Sequence, residues 1–341
     1  MKGVSILAAS AAAAAMLAGG AVSTALSKEI TLRMSYFGGP KGTTWKDVMA
    51  PWAAAVNKEG KGIVKIETYP GGALVRNPRA QAKALTDGVA DIAFVVFSYT
   101  PGRFPDNSVL ELPTLYNDVN ESSRVIRALH DKGMLRGFKN FYVNMIVTTF
   151  PYNFHTVKPV KKVADLKGMK LRAGGPVAGA AMRALGVAPV GMPIPAVAEN
   201  ISKGVLDGTA VDWNVLYSFR INQVAKNHYM QHFSTVPIGF MMTKKRFNSL
   251  PKKAQAIIAK YSGKWVEDLF VKVNTDIQNV WLKKTKAMKD HTIVYPSKAD
   301  KAAYDKIMAG VVAKWANNDK RKKTLAFVRA ELKKIRAAAK K

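Results

Sequence analysis

Arg172 is the residue of this chain whose type and setting best suit binding chemistry. It ends the segment Gly168–Arg172, which is apolar enough for a central strand, and Ala173-Gly174-Gly175-Pro176 follows. In open α/β sheets ligands bind beyond the carboxyl ends of the strands. A planar guanidinium there holds a carboxylate by two parallel hydrogen bonds. Gly174 and Gly175 let backbone approach an anion, and the helix start at Pro176 favours negative charge. An arginine merely exposed at a strand end is the plainer alternative. Aromatics gather at other expected strand ends: Tyr36, Phe37, Phe97, Tyr99, Phe150, Tyr152, Phe154 and Trp213. Any one of them suits a core; several converging would wall an apolar pocket with few polar anchors.

Catalytic patterns are sparse. The five histidines are scattered. His228 and His232 have the i, i+4 spacing of a metal pair on a helix, but no third ligand is near and no glutamate lies between them, so a polar linker face explains them better. Neither a G-x-S-x-G, a P-loop nor a G-x-G-x-x-G occurs. Asp87 and Asp91, or Asp207 and Asp212, could pair as acid and base; turn and capping roles account for Asp87, Asp91 and Asp207. With no cysteine in the chain, disulfides, thiolate metal sites and Cys nucleophiles are excluded. No cofactor and no metal are expected.

The elements that would position these groups alternate. Ile30–Ser35 reads as a strand, 45–58 as a helix, 63–69 as a strand, 78–85 as a helix and Ile92–Val96 as a buried strand. After Arg172 the pattern recurs: helix 177–185, strand 187–192, helix 195–203 and strand 209–213. Two similarly built α/β halves follow, each with a mostly parallel open sheet. The segment 251–289 has no proline after Pro251 and reads as one helix bridging the halves, about 50 Å long if 35 residues are helical. Ser262-Gly263 is the place where it would bend.

The chain has 341 residues, 48% of them hydrophobic, enough for two domains with proper cores. Lys2, the apolar run 4–17 and the small residues up to Ser27 have the order of a secretory signal peptide, with cleavage expected before Lys28 or, alternatively, after Ala25. The run is too short to span a bilayer, which takes about 20 apolar residues. A soluble periplasmic or extracellular protein is expected. The balance of 53 Lys+Arg against 23 Asp+Glu gives a formal charge of +30, and residues 320–341 hold +9 of it. Leu325, Val328, Leu332 and Ile335 recur there at helical spacing, so this is an amphipathic helix with a solvated basic face. Basic residues interleaved with aromatics are missing, so no nucleic acid is expected as a partner.

The segment Asp165-Leu166-Lys167-Gly168-Met169-Lys170-Leu171-Arg172 resembles the solute-binding proteins of TRAP (tripartite ATP-independent periplasmic) transporters, the DctP-type family. Pro70-Gly71-Gly72-Ala73-Leu74 is similar to its P-G-G-x-L, and Leu85–Ile92 to its A-L-x-x-G-x-x-D-I. Leu112-Pro113, Leu185–Val190 and Gly204–Gly208 add further matches, so the likeness covers essentially the whole mature chain. It implies a two-domain periplasmic-binding-protein fold, type II-like, with a long bridging helix. Domain I would be 28–149 plus about 238–277, and domain II 150–237 plus about 278–341. It implies an organic acid captured by domain closure and delivered to a membrane permease by a non-enzymatic receptor, expected as a monomer. Arg172 matches the arginine with which that family clamps the ligand carboxylate. The remaining candidates for the ligand site are Phe37, Tyr99, Tyr152, Asn153, Gly174, Asp212 and Trp213. Where the family often has Gln-Glu-Asn after the Asp-Gly turn, this chain has Thr209–Asn214; some twenty positions before Arg172, where many members carry a polar or basic ligand residue, it has Phe150-Pro151-Tyr152-Asn153-Phe154. Both departures exchange polar contacts for aromatics and point to a less polar acid. An ABC-type periplasmic binding protein and a secreted hydrolase are the alternatives.

Overall fold

The computed structural model describes residues 29–339; the expected signal peptide, 1–27, lies outside them. From the first strand the chain runs β1 (Ile30–Ser35), α1 (Ala50–Glu59), β2 (Val64–Tyr69), α2 (Gln81–Thr86) and β3 (Ile92–Val96). A π-helical turn, Thr44–Met49, leads into α1. Then come α3 (Val119–Asp131), β4 (Phe141–Thr148), β5 (Asn153–Thr156), β6 (Lys170–Ala173), α4 (Pro176–Ala184) and β7 (Ala188–Gly191). They are followed by α5 (Val197–Ser202), β8 (Gly208–Val211), α6 (Trp213–Ser218), β9 (Asn227–Tyr229) and β10 (Pro237–Thr243). The last part holds α7 (Lys244–Asn248), α8 (Lys252–Tyr261), α9 (Lys264–Lys286), β11 (Thr292–Val294), α10 (Lys298–Trp315) and α11 (Asp319–Ala338).

The strands form two mixed sheets, one per unit. The first has the order β2-β1-β3-β10-β4 and the second β11-β9-β5-β8-β6-β7. β10 returns after the second unit and inserts antiparallel between β3 and β4. Central strands are buried on both faces: every residue of β3, from Ile92 to Val96, is buried, as parallel sheets covered by helices require.

Three expectations need correction. The expected single helix over 251–289 is two helices, because Gly263 takes φ +61°, a conformation that a side-chain-bearing residue rarely adopts. The bridging element is α9 alone: 23 residues, or about 35 Å, in contact with α3, β4 and the turn before α1 on one side and α6 on the other. The strand expected over 209–213 ends at Val211, since the Asp212 side chain accepts the Val215 N–H at 2.7 Å and starts α6 at Trp213. The third concerns the C-terminus. α11 packs on α3 rather than on the second unit. Val328 and Leu332 are buried against Val125 and Leu129, and the Arg336 fork grips Glu121 with two hydrogen bonds of 2.8 Å. The apolar stripe of α11 thus completes the first core, and 319–338 leaves the second-domain set.

His228 departs from both sequence readings. It lies buried on β9, not on a helix, and forms a row with two other imidazoles. His155 Nε2 donates to the Val211 carbonyl at 3.1 Å, which makes its Nδ1 the acceptor for His228 Nδ1–H at 2.7 Å. His228 Nε2 then accepts from His291 Nδ1–H at 2.8 Å. One backbone carbonyl thereby fixes the tautomers of three neutral rings. Burial holds His155 at about 3 and His228 at about 2, well below the ordinary imidazole range. No group suited to hold a metal ion occurs among the described residues, nor any helix long and apolar enough to cross a membrane.

Candidate functional site

The carboxyl ends of β1, β3, β6 and β8 converge on a cavity of about 60 Å³ between the two units. From the first unit come Tyr36, Phe37, Thr44, Phe94 and Tyr99. From the second come Tyr152, Arg172, Gly174, Asp212, Asn214 and Phe219, while α9 contributes Phe270 and Asn274. Tyr36 stacks on Phe37 at 5.6 Å and meets Phe94 edge-on at 5.2 Å, so one wall is a continuous aromatic surface.

Arg172 is 2 % exposed. Its Nε donates to the Met192 carbonyl and one Nη2 hydrogen to the Tyr99 hydroxyl, both at 2.9 Å. A guanidinium carries five N–H groups, so three keep donor capacity toward the cavity. Among the described residues no carboxylate lies within ion-pair distance of it, and it is the only cationic side chain of the lining. Burying a cation without its counter-ion is costly, so an anion in the cavity would be favoured. Tyr99 reaches Arg172 from the other unit; its oxygen also accepts the Ile194 N–H at 3.0 Å.

The rest of the lining carries polar groups and no further cation. Asp212 accepts from Val215 N–H, and Gln278 and the backbone of Phe150 and Asn214 also turn toward it. Burial nevertheless pushes its carboxyl up to about 7. Asn214 Nδ2 donates to Asn274 Oδ1 at 2.9 Å and to Thr44 Oγ1 at 3.4 Å, linking α6, α9 and the first unit across the cleft.

Of the residues singled out from sequence, the cavity gathers Arg172, Phe37, Tyr99, Tyr152, Gly174 and Asp212; Trp213 and Asn153 are outside its lining. Trp213 instead packs against His155 and His228, and Asn153 is buried within β5. Phe97 belongs to a core cluster with Phe104 and Phe138, and Phe154 packs on Phe233. Sequence reasoning missed Thr44, Phe94, Asn214, Phe219, Phe270 and Asn274. The i, i+4 pair Asn274 and Gln278, in line with Phe270 on an otherwise apolar helix face, was the available signal for the α9 contribution.

Comparison with known proteins bears on the fold and the family. A TRAP solute-binding protein from a marine metagenome, described as specific for aromatic acid ligands and solved with 3-hydroxybenzoate, is 28% identical, with 90% of this chain and 99% of that one aligned and a TM-score of 0.84. One from Rhodoferax ferrireducens T118, solved with copurified benzoate, is 27% identical, with 91% and 99% aligned and a TM-score of 0.82. Proteins solved with succinate and with galactonate share the fold at 18% and 21% identity, so the fold alone does not select a ligand. Among curated sequences, a solute-binding protein of Albidiferax ferrireducens is 27% identical over 213 residues, 59% of this chain. The chain spans about three fifths of the length of the first curated relatives it matches, 61% and 62%. Residues 34–319 match the sequence model of bacterial extracellular solute-binding protein family 7, DctP, and the chain belongs to that family.

Proposed function

We propose that this chain is a TRAP-type receptor for a monocarboxylate with an aromatic or similarly apolar body, delivered to a membrane permease without chemical change. The observation that carries the reading is Arg172: a buried cation with three N–H groups to spare, facing an aromatic cavity between two units. A carboxylate there completes the guanidinium and is gripped through two hydrogen bonds. A dicarboxylic acid would bring a second carboxylate into a cavity that holds Asp212 and no cation besides Arg172, at the full cost of desolvation. A sugar acid would set its hydroxyls against Phe37, Phe94 and Phe270. The solved relatives that carry benzoate and hydroxylated aromatic acids fit the same reading. Because the lining comes from both units, ligand binding favours the shut form. Membership of family 7 stands in place of the ABC-type and hydrolase alternatives.

The test is a thermal-shift screen of the mature chain, unfolded and refolded to strip bound ligand. Benzoate, 3-hydroxybenzoate, mandelate, succinate and galactonate form the panel. Ligand at about 100 times its dissociation constant adds about 2.7 kcal/mol, a rise of a few degrees. Aromatic monocarboxylates should give that rise in the wild type and none in Arg172→Ala. A response to succinate or galactonate alone would overturn the reading.

A further inference from the structure

The seam between the units holds a carboxyl group that the binding reading does not use. Glu111 ends the 3-10 segment Pro105–Glu111 of the first unit and is 3 % exposed. Its Oε1 accepts from Ser98 Oγ at 2.9 Å, while Oε2 has no hydrogen-bond partner. What faces Oε2 lies across the seam: a Cβ placed on Gly175 would sit 2.7 Å from it. Gly175 is the residue before α4 and gives that nine-residue helix no side-chain cap. One unit therefore presents a buried, half-satisfied carboxyl to the uncapped N-terminus of a helix in the other, where partial positive charge accumulates. The negative charge expected at this helix start is met by the chain's own glutamate.

The surroundings of Glu111 are otherwise neutral. Ser98 and Tyr99 lie on the turn after β3, Ser234 Oγ bonds the Glu111 carbonyl at 2.8 Å, and Thr235 Oγ1 bonds the Leu110 carbonyl at 2.5 Å. Arg172 is the charged group that acts on it, and Gly175 is the facing residue of α4. Burial lifts the carboxyl to about 7, against the opposing pull of Ser98 and Arg172. Opening the seam would return it to solvent and to the ordinary carboxylate range.

We propose that Glu111 is a positioning residue for capture: closure seats it against α4 beside Arg172, and a ligand carboxylate arriving at Arg172 drives a proton onto it. This rests on the carboxylate reading of the cavity. The exchange conserves charge. An ionised Glu111 and Arg172 sum to zero; after capture Arg172 and the ligand sum to zero and Glu111 is neutral. The proton comes from solvent and ends on the glutamate. Anion capture is thus coupled to proton uptake, and affinity rises as pH falls through the range of Glu111, until the free ligand itself protonates.

Calorimetry of benzoate binding in buffers of different ionisation enthalpy reads this directly. The wild type should take up close to one proton above about pH 7 and bind about three- to tenfold tighter at pH 6.5 than at pH 8.5, within the tenfold-per-unit ceiling for one proton. Glu111→Gln, nearly the same shape, should take up markedly less and bind with a flatter profile. Asp212, the other acid raised to about 7, lines the cavity itself, so the comparison is repeated in the Asp212→Asn background, where Glu111→Gln should abolish the remaining uptake. A second arm needs no ligand: spin-label distances between the units. The shut fraction of the wild type should grow as pH falls, and that of Glu111→Gln should not. Equal proton uptake in wild type and Glu111→Gln, or equal pH dependence of closure, would overturn the proposal. Should benzoate not bind while the ligand-free arm behaves as stated, the ligand reading has failed and the role of Glu111 stands. If Glu111→Gln does not fold, Gly175→Ala displaces the carboxyl by its Cβ and should also lose the pH profile; a wild-type profile there overturns the proposal.

Discussion

Arg172 spends two of its five N–H groups on the protein, one on the Met192 carbonyl and one on a tyrosine of the opposite unit. Those bonds fix the plane of the fork before a ligand arrives, which lowers the ordering cost of binding. Lysine would keep the charge and lose the plane. Arg172→Lys is expected to weaken binding of the responding acid by about tenfold or more, since hydrogen bonds to charged groups are worth about 1.5–3 kcal/mol. Calorimetry checks this, and wild-type affinity in the variant would remove Arg172 from the clamp. Tyr99→Phe removes the acceptor shared by Arg172 and the Ile194 N–H, the pair of bonds that crosses the cleft. Its affinity should drop by about fivefold, the worth of about 1 kcal/mol, with the off-rate rising and the on-rate nearly constant. A change confined to the on-rate would contradict that role.

At the scale of elements, the histidine row ties β5, β9 and the residue before β11 into one titrating unit. His155 and His228 ordinarily titrate near 6.5 and in the fold do so at about 3 and about 2. Below pH 6.5 the unfolded chain takes protons that the folded chain refuses, so their contribution is whole above 6.5 and is lost as pH falls toward 3. Each contributes a slope of about 1.4 kcal/mol per pH unit in that window. Glu111 and Asp212, both pushed up to about 7, act in the opposite sense: the folded chain holds their protons between pH 7 and about 4, and stability rises as pH falls there. These four groups nearly cancel between about pH 6.5 and 4.5. His228→Gln removes one destabilising slope and breaks the row. Its unfolding free energy should therefore be lower at pH 7 and should rise with acidification relative to wild type. Parallel pH profiles would show that the row does not titrate as a buried unit.

The same elements show what a sequence can disclose. β1 and β3 were legible to the residue because apolar alternation and an apolar run bounded by turns each have a single reading. Arg172 was legible because a charge at the end of an apolar strand has few explanations. The strand β9 was not, since three residues give no period, and His228 borrowed a helical spacing from His232. Nothing in the sequence around Glu111 sets it apart; only the approach of Gly175 from a segment over sixty residues away makes it notable. Asn274 joins the cavity for the same reason, through a helix that belongs to both units.

For the whole molecule, the formal charge of +30 bears on the proposed capture of an anion. Long-range attraction of that kind accelerates encounter and is screened by salt. Stopped-flow binding of the responding acid should slow severalfold between about 10 and 300 mM salt, by the ionic-strength dependence of steered association, while the off-rate holds. An on-rate indifferent to salt would show that the charge serves something other than capture.

The order of strands in the first sheet also governs the time at which this protein can exist. β10, residues 237–243, lies between β3 and β4, and α11 closes the core over α3. A ribosome that has made the first 230 residues holds a first unit lacking the interior strand β10 and its last helix. The unit whose residues are made first is thus finished last, after the chain has run through the second unit. For a member of an extracellular family, such an order would postpone folding of the first unit until synthesis is nearly over, as passage of an unfolded chain through a pore would require.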